Sequence, residues 1–278
     1  MVYIDPSFAP AVDSELYQPN YYRKMRGLSR LIERLLLQER RALTERYVRK
    51  GRLLDIGCGT GEFLRTMSLA GWDAIGVEPS PAATSYTEGL NIVRSDLKKA
   101  GFPVLSFDAI TLWHVLEHLP DPIEHLKDIH SLLRNSGILV VCVPNIDSLQ
   151  SCVGGSNWFP LELPRHKWHF SPSSITAALD RAGFRIKKIH HISFEYGPFC
   201  WWQTLFNIVG CEPSFVYKVL KRGELRPGWW SLRRHYTVLV TITLGIPFLA
   251  LAMILSILEA LVRRGGIITV IAVKKEWE

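Results

Sequence analysis

Short apolar runs alternate with amphipathic stretches along most of this chain. A basic helix is predicted from Arg26 to Arg49, with Leu28, Leu31, Leu35 and Leu36 on roughly one face. Strand and helix then alternate: Arg52 to Ile56 with a helix to Ala70, Asp73 to Val77 with a helix near Ala82 to Glu88, and a short strand from Asn91 to Arg94. A fourth strand runs from Asp108 to Val115. Asp121 opens a helix to Arg134 that Asn135-Ser136-Gly137 should stop, and the apolar run Ile138 to Val143 suits a strand buried on both faces. Ser171 caps a helix through Ala182, Gly183 ends it, Phe184 to Phe194 forms a sixth strand, and Ile267 to Val273 closes the set. Such alternation predicts an α/β protein built on an open, mostly parallel sheet.

The chemistry starts where the first strand meets its helix, in Leu53-Leu54-Asp55-Ile56-Gly57-Cys58-Gly59-Thr60-Gly61-Glu62-Phe63. Three glycines let backbone approach a ligand and adopt positive φ, and the next helix offers free N–H groups at its start. A dinucleotide fingerprint needs its third glycine one position later, where Glu62 stands. Asp55 beside the turn would repel a pyrophosphate and suits a cationic, phosphate-free ligand such as S-adenosylmethionine.

This segment resembles the first motif of class I S-adenosylmethionine-dependent methyltransferases, and later residues match that family in order. Gly76-Val77-Glu78-Pro79-Ser80 closes the second strand with an acid, which the resemblance assigns to the ribose hydroxyls of the cofactor. Ser95-Asp96-Leu97 resembles the segment that contacts the adenine. His114-Val115-Leu116-Glu117-His118-Leu119-Pro120-Asp121-Pro122 is similar to the passage after the fourth strand in the quinone and small-molecule branch. The likeness covers roughly residues 50 to 193 and the last ten. It implies a doubly wound, Rossmann-like seven-stranded sheet with the last strand antiparallel, and cofactor contacts from Asp55, Gly57, Cys58, Gly59, Gly61, Glu78, Pro79, Asp96, Leu97 and Trp113. Domain organisation follows: a helical segment over 1–50, a cofactor-binding core over 51–195, an apolar helical insertion over 196–266, and a closing strand over 267–278.

The insertion departs from the family pattern. Tyr236 to Leu258 contains no charged residue and is long enough to cross a bilayer. A single crossing would part the sixth and closing strands, and Arg233, Arg234, Arg263 and Arg264 flank the run on both sides, which favours a cytoplasmic location for both ends. Gly245 and Pro247 interrupt it. A bent or re-entrant hairpin, or an in-plane pair of short helices, is therefore expected rather than one straight span. Phe199 to Cys211 adds a second apolar stretch, with Trp201 and Trp202 suited to a headgroup layer, as are Trp229 and Trp230. Lys218, Lys221, Arg222, Arg226, Arg233 and Arg234 oppose one acid, Glu224, and would attract anionic lipid.

Charge and cysteine content refine this picture. The net charge of +7 sits around apolar segments rather than along a stripe of stacking aromatics, which disfavours a nucleic-acid partner. Five cysteines without a spaced framework, and a start lacking the basic and apolar regions of a signal peptide, predict reduced thiols and a cytoplasmic catalytic body at a membrane face.

The expected reaction is methyl transfer to the oxygen of a lipophilic or lipid-linked small molecule; the alternatives are a metal-assisted or RNA- or N-directed methyltransferase, or a noncatalytic membrane-anchored protein that binds S-adenosylmethionine. His114, at the end of the fourth strand, is the expected base, and His118 lies one helical turn on. The loop ending in Arg165-His166-Lys167-Trp168-His169-Phe170-Ser171 resembles the substrate side of the family, so Arg165, His166 and His169 are expected to face the acceptor, with Tyr21 as part of a lid. His114, Glu117 and His118 have metal-ligand spacing, but the metal-using relatives carry Glu at the first position, so no metal is expected.

Overall fold

The computed structural model describes residues 2–3, 28–84, 87–219 and 232–275. Seven strands form one sheet: β1 (Arg52–Ile56), β2 (Asp73–Val77), β3 (Ile92–Val93), β4 (Phe107–Trp113), β5 (Leu133–Pro144), β6 (Phe184–His190) and β7 (Ile267–Lys274). Their order is β3-β2-β1-β4-β5-β7-β6. All neighbours are parallel except β7, which runs antiparallel to both β5 and β6. The strand order reverses direction between β1 and β4, and open sheets of this kind bind ligands at the carboxyl edge of that switch point.

Sequence explains the layers. The apolar positions of β1, β4 and β5 alternate between two buried clusters, one on each face of the sheet. On one face pack α3 (Pro122–Leu132) and α4 (Pro172–Arg181); on the other, α1 (Leu28–Glu45) and α2 (Glu62–Leu69). Asp121 caps α3 by accepting the Ile123 and Glu124 amides at 3.1 and 3.0 Å, with Pro122 in the first turn, where a missing N–H costs nothing. Ser171 and Ser174 form a capping box at the start of α4.

Several boundaries differ from expectation. Strand β4 ends at Trp113 because His114 turns into the left-handed region at φ 57°. Strand β5 starts at Leu133, so Asn135-Ser136-Gly137 lies inside it; a side chain at Gly137 would press on the Asp108 carbonyl, so the two strands meet closely there. Strand β6 stops at His190, where the chain turns to meet α1. Helix α1 buries Leu37 and Thr44 and leaves Leu35 exposed, a face shifted from the expected one; the side chains of Leu28 and Leu31 lie outside the described residues.

The insertion is built differently from the expected broken run. Helix α5 (Gly197–Ile208) packs antiparallel on α6 (Leu232–Leu261), with Gly197 facing Ser256 near one end and the Tyr236 hydroxyl donating to the Val209 carbonyl at the other. The apolar run is thus one continuous 30-residue helix with Pro247 inside it, and neither a re-entrant hairpin nor a pair of short helices. Proline removes one amide donor. Its neighbour Gly245 is held from outside, its carbonyl accepting the Trp202 indole N–H at 2.8 Å. Trp229 and Trp230 lie outside the described residues.

Candidate active site

The turn after β1 uses its glycines as expected. Gly57, Gly59 and Gly61 have φ of 66°, 53° and 74°. The Gly57 and Cys58 amides donate to the Val77 carbonyl at 2.8 and 3.3 Å, which ties the turn to the end of β2. A side chain on Gly57 would meet Val115 at 2.6 Å, and one on Gly61 would collide with Leu90. Cys58 leans on Gly76, where a larger residue would not fit, and burial raises its thiol pKa, reinforced by the nearby Asp55 and Glu78 carboxylates.

Two buried carboxylates face this turn. Glu78 accepts the Gly59 amide at 3.0 Å and the Ser80 amide at 2.8 Å; burial raises its pKa and the two N–H groups work against that rise. Asp55 accepts the Thr111 hydroxyl at 2.7 Å, and burial pushes its pKa up to about 7. A desolvated acid held near neutrality gains most from a cation placed beside it. Pro79 is exposed beyond Glu78. Asp96 precedes a short helix, exposed and paired with Lys99 at 3.3 Å, while Leu97 is buried beneath it. Trp113 ends β4 edge-on to Phe63. The expected cofactor residues therefore lie along the ends of β1 to β4.

The histidines separate into two groups around a fully buried Glu117. His114 places Nδ1 3.3 Å from Glu117 Oε1, Nε2 3.6 Å from Cys142 Sγ, and its ring centroid 4.2 Å from that of Tyr196. His118 belongs to the other group. Its Nδ1 donates to the Arg165 carbonyl at 3.0 Å, and His166 Nδ1 donates to the Pro160 carbonyl at 2.7 Å. Burial lowers both imidazole pKa values to about 4, so both are neutral near pH 7. A carbonyl only accepts, so each Nε2 carries the lone pair. The Arg165 side chain turns to Glu162 at 3.3 Å, and neither ring nitrogen of the buried His169 has a partner among the described residues. Tyr21 lies outside the described residues.

Ligand atoms of Glu117, His118 and His166 lie within 4.8 Å of one another, and Glu117 Oε2 is buried without a hydrogen-bond partner among the described residues. Among the described residues these three, with His166 in place of His114, could hold a metal ion; a bound divalent ion would act as a Lewis acid toward an acceptor hydroxyl.

Sequence reading missed Thr111, Arg40, Glu195 and Tyr196. Thr111 had a usable signal, a polar residue inside an otherwise apolar strand and in register with Asp55. Arg40 had none, as one of many basic residues on α1. It reaches Glu195 with two hydrogen bonds of 2.7 Å and stacks its guanidinium 4.9 Å above the Trp113 ring.

A Rossmann-like sheet with its last strand antiparallel, and a buried acid pair around a three-glycine turn, define a class I S-adenosylmethionine-dependent methyltransferase. The chain belongs to the family described as "Methyltransferase domain", whose model matches residues 20–189. It is 28% identical over 159 residues to the ubiquinone biosynthesis O-methyltransferase of Azorhizobium caulinodans, covering 52% of this chain and 62% of that protein. The protein of the same name from Ruegeria pomeroyi is 29% identical over 175 residues, covering 57% and 68%. The crystal structure of an S-adenosylmethionine-dependent methyltransferase from Archaeoglobus fulgidus superposes with a TM-score of 0.53 at 26% identity, covering 87% of this chain and 94% of that one. Phosphoethanolamine N-methyltransferase 2 of Haemonchus contortus, solved with S-adenosyl-L-methionine, shares the fold at a TM-score of 0.54 and 15% identity, covering 86% of this chain and 53% of that one.

Proposed function

We propose that this enzyme O-methylates a lipophilic, quinone-like phenol at a membrane surface, with His114 as the base. The observation that carries the reading is the placement of His114 and Tyr196. They meet at the mouth of the sheet, and Tyr196 directly precedes α5, the helix that packs on the inward face of α6 and leaves its apolar face outward. The curated relatives named for ubiquinone biosynthesis support a phenolic acceptor.

The bound cofactor supplies an electrophilic methyl group on a sulfonium. Hydrogen on His114 Nδ1, shared with Glu117 Oε1, would put the lone pair on Nε2, which also lies 3.6 Å from Cys142 Sγ and would take the proton of an acceptor hydroxyl. The acceptor oxygen would receive that methyl group, with the C–S bond electrons remaining on sulfur. Asp55 and Glu78 hold the cofactor end of the site, so the chain's main contribution is alignment.

Helix α6 supports the membrane part of the reading because its polarity is inverted. Thr237, Gly245, Ala252, Ser256 and Glu259 face inward with a single larger aliphatic, Val240, while Leu239, Ile242, Ile246, Met253, Ile257 and Leu261 face outward. Only 11% of its most apolar 18-residue window is buried. In water the reverse is favoured; small and polar residues inside with large aliphatics outside is the pattern of helices in lipid. Arginines at both ends favour a helix lying in the interface. Incubating membrane extract with the enzyme and radiolabelled methyl donor tests the activity, with a labelled extractable phenol ether as the expected product. Label confined to protein or RNA overturns the acceptor class.

A further inference from the structure

Strand β6 lies at one edge of the sheet, and the chain that leaves it crosses residues 191–196 to reach α5. Its exposed side chains Arg185, Lys187 and Lys188 are basic. More cations stand around its end. His190 Nε2 lies 2.9 Å from the Tyr47 hydroxyl, and Lys187 Nζ lies 5.5 Å over the Tyr47 ring. Burial, and then the charges of Lys188 and Arg46, hold the His190 pKa below its usual value; burial and Arg263 do the same to His191. The His191 carbonyl packs so closely on Gly265 that a side chain there would collide with it. The end of α1, the edge strand and the end of α6 thus share one cationic face. Acids nearby are already engaged, Glu45 with Arg41 and Lys50, Glu195 with Arg40, and Asp180 with Lys275. Arg46, Lys187, Lys188 and Arg263 form no ion pair among the described residues.

An apolar tip follows directly in the chain. Ile192 and Phe194 are 40% and 62% exposed, although the Phe194 amide is held by Glu39 at 3.4 Å. Leu35, one turn before Glu39 on α1, is exposed too. Tyr196, whose ring meets that of His114, comes next, and α5 then begins at Gly197 against Ser256 of α6. Leu258, Leu261 and Val262 carry the outward apolar face of α6 up to Arg263. Exposed apolar side chains beside unpaired cations fit an anionic bilayer, where the apolar groups enter the acyl boundary and the cations meet headgroups. Lysines on an edge strand also deter pairing with another sheet, but that role accounts for neither Arg46 and Arg263 nor the apolar tip.

We propose that residues 191–196 form a wedge that enters the surface of an anionic bilayer beside α6, so that the mouth at His114 and Tyr196 opens toward lipid. The occupant is lipid because the wedge adjoins the apolar face of α6. A nucleic acid or an acidic protein would use the cations and leave Ile192 and Phe194 bare. The inference rests on the proposed membrane-surface reaction and adds a second anchor, on the catalytic core itself, that fixes how the site is turned.

Flotation of the full-length protein with phosphatidylcholine vesicles, with and without phosphatidylglycerol, tests the wedge. Ile192→Ser/Phe194→Ser should lower vesicle affinity by about tenfold or more with an unchanged melting profile, since both side chains are exposed. Lys187→Gln/Lys188→Gln should lower it by about tenfold with phosphatidylglycerol present and leave phosphatidylcholine binding unchanged. Phe194→Cys in a Cys152→Ser background takes a nitroxide, whose collisions with oxygen should rise and with a water-soluble nickel complex fall when vesicles are added. Leu261→Glu on α6 is the control that separates the two readings. If it loses binding while the wedge and lysine variants float as well as wild type and the nitroxide stays open to nickel, the wedge is overturned and the membrane-surface reading stands. A wild type that does not float with either vesicle overturns both. Wedge variants that convert a dimer to a monomer on gel filtration, with flotation unchanged, assign this face to a second copy of the chain and overturn the proposal.

Discussion

Thr111 donates its hydroxyl hydrogen to Asp55 at 2.7 Å, directly across the paired strands β1 and β4. That bond stabilises the ionised acid, yet burial wins, and Asp55 titrates at about 7. Its folded pKa lies above the unfolded value, so the native state without ligand binds the extra proton. Its contribution to stability is full below pH 3.8 and is lost as pH rises to about 7.

Cofactor binding should show the opposite trend. A sulfonium and an ammonium prefer the ionised acid, so below pH 7 binding releases a proton, and affinity rises by about tenfold per pH unit before levelling off. Titration calorimetry from pH 5 to 8 in two buffers of different ionisation enthalpy checks this. In Asp55→Asn the slope should fall, leaving the smaller contribution of Glu78, whose pKa is also raised by burial. An unchanged slope in that variant would place the released proton elsewhere.

Glu78 bridges the Gly59 and Ser80 amides, so its removal has two effects. Glu78→Ala leaves both amides without their acceptor and removes an acid from the cofactor edge. Hydrogen bonds to a charged group contribute about 1.5–3 kcal/mol, so cofactor affinity should drop by about tenfold to a hundredfold. Measured affinity of Glu78→Ala within twofold of wild type would remove Glu78 from the cofactor site.

The glycine turn and the acids beside it were legible because their pattern is local. The turn from Asp55 to Gly61 and the acid at Glu78 sit at strand ends that apolar runs mark clearly, and β1 and β2 match their expected limits. The arrangement around Arg40 and the histidines depends on contacts between distant positions. Arg40 and Glu195 are 155 residues apart, and His118 meets the Arg165 loop across a separation of 47. No local pattern encodes such pairings. Helix α6 was misread for a related reason: Gly245 and Pro247 are breakers by propensity, and a tryptophan from a different helix supplies the contact at Gly245.

His114 occupies a left-handed conformation, which restricts the choice of a clean variant. Asparagine tolerates that region and lacks the base, so His114→Asn should fold. Its kcat is expected to fall by about a hundredfold to ten-thousandfold, the range for a lost general base, with S-adenosylmethionine affinity unchanged. Stopped-flow single turnover with a catechol acceptor reads the chemical step directly. A kcat near wild type would return the base to His118 or to another group.

Helix α6 offers the most direct test of the membrane reading, because its outward residues make few contacts with the fold. Ile246 is 82% exposed and Leu261 74% exposed. Glutamate at either position should leave the melting profile unchanged, since little packing is lost. Partition into lipid is different. Each large aliphatic is worth about 1.5–3 kcal/mol when withdrawn from water, so each substitution should lower vesicle affinity by about tenfold or more. Sodium chloride should weaken binding to anionic vesicles further, because Arg233, Arg234, Arg263 and Arg264 act through screened attraction. Flotation with vesicles containing anionic lipid measures both effects. As a contrast, Ser256→Leu presses a large side chain on Gly197 and should destabilise the α5–α6 pair without changing the outward face. If Ile246→Glu and Leu261→Glu float as well as wild type while Ser256→Leu alone loses binding, the outward face is not the lipid contact and the membrane-surface reading fails.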